Sequence, residues 1–197
     1  MNTGRSIDAL QKVLSGQCPD FQAGVPLLPD ALYWPVDVRH GKEQVSSPHT
    51  DWFQGALDRT AGCDLVFLDP DNGVASPRAC TEGSLKHVFL DEIDRLVHRT
   101  PRPSIVIYHH MDMTKGTAEE KTERLLKRLL QELKLSLAER PFGVLFRRWG
   151  VRAFLILPNQ DHREMLMERT NALIQKWGKD EWGKRKPEPH FTGPILV

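Results

Sequence analysis

The chain has 197 residues, 40% hydrophobic and 27% charged, which is typical of a globular protein with one sizeable core. Its 27 Lys and Arg residues balance 26 Asp and Glu residues, so the net charge of +1 excludes a global attraction to nucleic acid or to membranes. The three cysteines are odd in number and lack CxxC spacing, which favours a reducing, cytoplasmic location. No apolar stretch approaches the ~20 residues needed to span a bilayer, so we expect no membrane insertion.

Residues 1–50 are predicted to be largely irregular. Ser6 is a suitable N-cap for a short helix that runs to Leu14. The segment 18–50 is rich in proline and has only brief apolar runs, which predicts irregular structure with one or two short strands. A helix is then predicted over 51–59, and Gly62 is expected to stop it.

Two continuous apolar runs predict two strands of a parallel pair. The first is Asp64-Leu65-Val66-Phe67-Leu68-Asp69-Pro70, which we expect to be buried on both faces, and the second is Ser104-Ile105-Val106-Ile107-Tyr108. Between them, residues 88–97 carry apolar side chains at helical spacing. Strand, helix and strand in this order predict a βαβ unit with parallel strands.

The second half of the chain predicts two helices around an antiparallel strand pair. The first helix, 117–139, has an apolar stripe that we assign to the core: Leu125, Leu126, Leu129, Leu130, Leu133 and Leu137. Residues 142–146 and 151–158 read as two strands joined around Arg147-Arg148-Trp149-Gly150. The last helix, 161–177, is expected to bury four apolar side chains: Met165, Leu166, Leu173 and Trp177. We therefore predict one α/β domain over 1–178 and a polar, proline-containing tail over 179–197.

Polar side chains follow both predicted parallel strands at their carboxyl ends, where open α/β sheets bind ligands. Asp69-Pro70-Asp71-Asn72-Gly73 follows the first strand, and His109-His110 follows the second. A carboxylate at the tip of a strand accepts a hydrogen bond from an amine or binds a hard cation. In the alternative interpretation, Asp69 and Asn72 only cap a turn in which Gly73 has a positive φ. Adjacent strand residues point to opposite faces, so one of the two histidines is expected to be structural.

The order of the elements, over roughly residues 51–177, is similar to the second half of the Rossmann-like S-adenosylmethionine-dependent methyltransferases. In the amino-methylating members of that class, a strand ends in an Asp/Asn-Pro-Pro-aromatic tetrapeptide that receives the target amine. Asp69-Pro70-Asp71-Asn72 stands at the equivalent place here. The first two positions match, whereas Asp71 and Asn72 replace the second proline and the aromatic residue.

The resemblance implies an open, mostly parallel, Rossmann-like three-layer sheet with a terminal antiparallel strand pair. Its front half is expected to be reduced or atypical, because the chain has no Gly-x-Gly cofactor turn and too few residues before Asp51 for three strand–helix units. S-adenosylmethionine as cofactor and nucleic acid as partner follow from the same resemblance, with Asp69 as the amine acceptor and Asn72 as its helper. The combination of Phe67-Leu68-Asp69-Pro70-Asp71-Asn72-Gly73 with Ile107-Tyr108-His109-His110 also looks like a group of uncharacterised bacterial proteins with this fold.

Three functions remain open at the level of sequence. The first is a methyltransferase-like domain acting on nucleic acid, with a candidate site of five residues: Asp69, Asp71, Asn72, His109 and His110. The second is a phosphoesterase or nuclease that depends on Mg²⁺ or Mn²⁺, with Asp69, Asp71 and one histidine, His109 or His110, as ligands. The third is a non-catalytic interaction module that retains half of an enzyme fold. Each hypothesis depends on how the two strand-end clusters are arranged in space.

Overall fold

A computed structural model describes residues 32, 48–75, 86–111, 114–147, 150–177 and 190–197. All of these except Leu32 belong to one compact unit, Asp37–Val197. The predicted helix at 6–14 and the predicted irregular segment up to residue 47 lie outside the described residues, apart from Leu32. Among the described helices, none is both long enough and apolar enough to cross a membrane.

The described part of the chain contains both helices and strands, as the sequence predicts. In chain order the elements are α1 Pro48–Arg59, β1 Leu65–Leu68, β2 Gly73–Ala75, β3 His87–Phe89, α2 Leu90–Val97, β4 Ser104–His110, α3 Ala118–Glu132, β5 Phe142–Phe146, β6 Arg152–Leu157, α4 Arg163–Trp177 and β7 Phe191–Leu196. The short strands β2 and β3 were not predicted. Strand β3 includes the first two residues of the predicted helix 88–97 and runs directly into α2, which begins at Leu90. It pairs in parallel with β2, the strand that follows the Asp69–Gly73 loop.

Five strands form one open, mixed sheet in the order β1-β4-β6-β5-β7. The predicted parallel pairing of β1 with β4 and the predicted antiparallel pairing of β5 with β6 are both confirmed. A mostly parallel sheet is not found, because β4–β6, β5–β6 and β5–β7 are all antiparallel. The short connection between β5 and β6 joins antiparallel neighbours, and β6 also pairs with β4, so the sheet changes direction at that point.

The sheet carries apolar side chains on both faces. On one face, Ile105 and Ile107 of β4 belong to the main core, together with buried side chains of α1, α2 and α3. On the other face, Val106 packs against a smaller cluster of Phe142, Val144 and Ile156, which α4 partly covers. Because successive strand residues point to opposite faces, this division produces three layers in the described part of the chain.

Helix α3 is shorter than predicted, and its leucine stripe is only partly core. Thr117 caps its first turn and accepts a 3.2 Å hydrogen bond from the Glu120 N–H. Leu126 and Leu129 are fully buried. The helix ends at Glu132, and Lys134 has a φ of 51°, so the predicted continuation is wrong and Leu137 is 71% exposed in a separate 3-10 turn.

Helix α4 occupies its predicted position but turns a different face toward the sheet. Met165 and Leu173, which were predicted to be buried, are 48% and 38% exposed. Leu166 packs as predicted, and its companions against the smaller cluster are Met167 and Ile174. The apolar residues of this helix are spread around its circumference, so periodicity alone does not select the buried side. The side chain of Trp177 lies outside what the structure describes.

Two further predictions are corrected at the edges of the sheet. Strand β1 is not buried on both faces, because Val66 is buried whereas Leu65 and Phe67 are 52% and 55% exposed. It is the last strand of the described sheet, and helices cover only the face that Val66 occupies. The predicted polar tail ends in strand β7, which pairs with β5 and places Phe191 against Phe146.

Candidate functional site

The Asp69–Gly73 loop and the paired histidines lie at the same edge of the sheet. In the parallel β1–β4 pair, Leu68 stands opposite Ile107, so the chain leaves β1 beside the last three residues of β4. The loop then turns into β2, with the Asn72 N–H donating to the Lys86 carbonyl at 2.8 Å. Gly73 opens β2 with a φ of 93°, the left-handed region that glycine tolerates best.

His109 points to the main-core side of the sheet and holds the loop. Its Nδ1 accepts a 3.1 Å hydrogen bond from the Val74 N–H, so Nδ1 carries no proton and the neutral ring is protonated on Nε2. A Cβ on Gly73 would lie 2.1 Å from that Nδ1, far inside van der Waals contact. His109 therefore anchors the loop, and its Nδ1 is already occupied by a backbone donor.

His110 points to the opposite face, where it meets the acidic residues of the loop. Both Asp69 and Asp71 are close enough to favour the charged imidazolium. Burial of His110 and the positive charge of Arg152 disfavour the imidazolium. Their effect exceeds that of the two carboxylates, so the pKa of His110 lies below its usual value of 6.5. At neutral pH the imidazole is therefore uncharged and able to exchange a proton.

Asp69 has the complementary perturbation. Burial of the carboxyl group raises its pKa above 3.8, the negative charge of Asp71 raises it further, and His110 partly opposes both. The carboxylate is thus less stabilised by its surroundings than a carboxylate in water, which makes it a stronger hydrogen-bond acceptor and a better base. By solvent accessibility Asp69, Asp71 and Asn72 are all exposed, so the desolvation of the Asp69 carboxyl group is only partial.

Two neighbours of the site, Arg152 and Tyr108, were not predicted as site residues from the sequence. Arg152 stands opposite His110 in the β4–β6 pairing, and its Nε is buried without a hydrogen-bond partner among the described residues. Tyr108 is half-buried, with its ring 5.3 Å from that of His110 and 5.4 Å from that of Phe154. Only the strand register brings these residues together, so no local sequence signal identifies them.

The arrangement does not assemble the predicted divalent-metal ligands. Asp69 and Asp71 interact with His110 on one face, whereas His109 is engaged with Val74 on the other. Within the described ranges, no three or more His, Cys, Asp or Glu side chains are placed to hold a metal ion. The set with His109 is therefore divided between the two faces, whereas the set with His110 shares one face but is not gathered into a metal site among the described residues.

A shallow groove of about 590 Å³ lies elsewhere on the surface, and none of the strand-end residues lines it. It runs between α4 and the 3-10 turn after α3, with Arg163, Glu164 and Glu168 on its rim. No family model, curated protein or solved structure matches this chain.

Proposed function

We propose that this chain is a methyltransferase-like domain acting on nucleic acid, in which Asp69 accepts a hydrogen bond from an amine of the substrate base. One observation carries the proposal: a carboxylate with a raised pKa stands at the carboxyl end of a parallel strand pair, with a neutral histidine beside it. That edge is where open α/β sheets bind their ligands.

The chemistry of Asp69 fits the exocyclic amine of a base. The exocyclic amine of a base is a weak nucleophile because its lone pair is delocalised into the ring. A carboxylate that accepts one N–H returns electron density to the nitrogen and can take the proton as the nitrogen reacts. Asp69 suits this role because partial desolvation and the neighbouring charge of Asp71 raise its pKa, while its exposed position leaves it accessible to a ligand. His110 is positioned to share or relay that proton.

The topology supports the same proposal. The parallel pair β1–β4 is followed by α3 and by the antiparallel pair β5–β6, which is the order of elements on which the methyltransferase resemblance rests. Asp69-Pro70 follows β1 at the position of the amine-receiving tetrapeptide. These strands and the Asp69-Pro70 motif all lie within the described ranges.

The surroundings of Gly73 do not fit S-adenosylmethionine, the cofactor that the resemblance implies. A glycine next to such a cofactor leaves space for the ligand to approach the backbone. The space beside Gly73 is instead filled by the His109 ring. We therefore assign no described residue to the cofactor and derive no step through it.

An assay of methyl transfer tests the role of Asp69 directly. Radiolabelled S-adenosylmethionine is incubated with single-stranded DNA and the wild-type chain, Asp69→Ala or Asp64→Ala. Asp64 is an exposed carboxylate at the opposite end of β1 and serves as the matched control. We expect Asp69→Ala to lower the rate by about 100- to 10,000-fold, the range for removing a general base, and Asp64→Ala to leave it unchanged. Equal rates in wild type and Asp69→Ala contradict the assignment.

A non-catalytic interaction module is the second candidate, because His109 fills the space beside the only glycine of the strand-end loop. Calorimetric titration of S-adenosylmethionine separates the two. Absence of binding up to millimolar cofactor, together with intact nucleic-acid binding, favours the module. A metal-dependent phosphoesterase has no comparable support, because the described residues do not form its ligand set.

A further inference from the structure

The face of the sheet that carries His110 is aromatic toward the carboxyl ends of β1 and β4. Phe67 stands opposite Val106 in the β1–β4 register, and Tyr108 lies two residues further along β4 on the same face. Phe154 stands opposite Tyr108 on β6. We call Phe67, Tyr108 and Phe154 the aromatic face.

Helix α4 covers only the other end of this side of the sheet. It packs Leu166, Met167 and Ile174 against the cluster that contains Ile156 and is joined by Val106. Two residues further along the strands from Val106 and Ile156, Tyr108 and Phe154 are half-buried. At the outer strand, Phe67 is 55% exposed, which is unusual for a phenylalanine in a strand.

Tyr108 is in ring contact with Phe154 and His110, and Phe67 stands diagonally from it on the neighbouring strand. The Tyr108 and Phe154 centroids are 5.4 Å apart with the ring planes at 55°, and the His110 ring meets Tyr108 edge-on at 5.3 Å. Of the three residues of the aromatic face, Phe67 is exposed and the other two are partly accessible, and aromatic side chains on a sheet are the platform on which proteins stack unpaired bases. Arg152, next to His110 on the same face, adds a positive charge at the end of this platform.

Pairing of β1 with the β1 of a second copy is unfavourable in the symmetric register. Antiparallel pairing of β1 with itself, centred between Val66 and Phe67, would bring Asp64 of one copy opposite Asp69 of the other. Both contacts of that symmetric pair would join like charges, which destabilises strand pairing. The bases of a single strand are uncharged, and their phosphates can lie toward Arg152 while the loop carboxylates face the bases.

We propose that the aromatic face binds single-stranded nucleic acid by stacking unpaired bases on Phe67, Tyr108 and Phe154. The surface and its ligand go beyond the role of Asp69, because stacking needs neither an amine on the base nor a methyl donor. Every base has a ring face, so the surface is expected to tolerate sequence and to reject duplex, whose bases are already stacked.

The test is fluorescence anisotropy with a short labelled oligothymidine, whose base carries no exocyclic amine. We expect Phe67→Ala to weaken binding by about 5- to 150-fold, the range for removing one stacking partner. Phe67→Leu should weaken it nearly as much, because leucine retains apolar area but has no ring. Leu137→Ala, at a site 71% exposed, is the matched control and should bind as the wild type does. Unlabelled duplex should not compete.

Three results would overturn the proposal: no binding of the oligonucleotide by the wild type, retained affinity in Phe67→Leu, or a wild-type dimer in light scattering that Phe67→Ala dissociates. The first two exclude stacking, and the third assigns the face to a second copy. Because oligothymidine binding is measured without S-adenosylmethionine and with Asp69 intact, these outcomes are independent of the methyl-transfer assay. Failure of methyl transfer alone leaves the stacking surface in place.

Discussion

Replacement of Gly73 by alanine tests how the candidate site is held together. Gly73 has a φ of 93°, and an added Cβ would lie 2.1 Å from Nδ1 and 2.9 Å from Cγ of His109. The backbone of His109 is also only 3.0 Å away, so rotation of the ring alone does not relieve the clash. Either the imidazole must leave the Val74 N–H or the loop must move away from β4.

The expected cost has three sources. A positive φ costs a residue with a Cβ about 1–2 kcal/mol. Forcing a side chain out of a packed position costs about 1–3 kcal/mol. Loss of the Val74 N–H to Nδ1 hydrogen bond adds about 1 kcal/mol. We expect Gly73→Ala to lower the free energy of unfolding by about 3–6 kcal/mol, a large part of the total for a domain of this size.

Urea denaturation followed by circular dichroism measures this cost, and Gly62→Ala is its matched control. Gly62 also has a positive φ, 84°, but nothing lies within 4 Å of its added Cβ, so only the backbone strain of about 1–2 kcal/mol should remain. The double variant Gly73→Ala/His109→Ala should recover part of the steric cost. If Gly73→Ala and Gly62→Ala lose the same stability, the close approach of Gly73 to His109 is not present in the protein.

Three further predictions concern charge and helix capping. Since the pKa of Asp69 is higher in the folded chain than its ordinary value of 3.8, the folded state loses stability as pH rises from 3.8 through that raised pKa. Asp69→Asn should therefore raise the melting temperature at pH 7 and have no such effect well below 3.8; a lower melting temperature at pH 7 would refute the raised pKa. NMR titration should give His110 a pKa below 6.5, which Arg152→Gln raises and Asp69→Asn lowers; shifts in the opposite sense would contradict the arrangement. Thr117→Ala should destabilise the chain by about 1 kcal/mol in urea, and no loss would mean that the cap to Glu120 is not formed.

Much of the architecture follows from local patterns. The apolar runs around Val66 and Ile107, separated by a helical segment, are sufficient to predict the parallel pair β1–β4. The short connection after Phe146 is sufficient to predict the antiparallel pair β5–β6. Alternation along β4 also predicts that His109 and His110 face opposite sides, as the structure shows.

The remaining features depend on neighbours that are distant in sequence. An apolar run such as Leu65–Leu68 looks the same in a central strand and in an outer strand, so the exposure of Phe67 is decided by the order of the sheet. The contribution of Arg152 to the site depends on the β4–β6 register. Strand β7 was missed because Gly193 and Pro194 mark a loop, whereas pairing with β5 tolerates them at an outer strand.

The most direct test of Asp69 as an amine acceptor is to remove the amine from the ligand. Calorimetry compares single-stranded oligonucleotides that contain either adenine or purine, which differ only in the exocyclic amine. We expect the wild type to prefer adenine by about 10- to 150-fold, the equivalent of one hydrogen bond to a charged group, and Asp69→Ala to lose that preference. Asp64→Ala should keep it. Equal affinity of the wild type for both ligands, or an unchanged preference in Asp69→Ala, would contradict the assignment of Asp69.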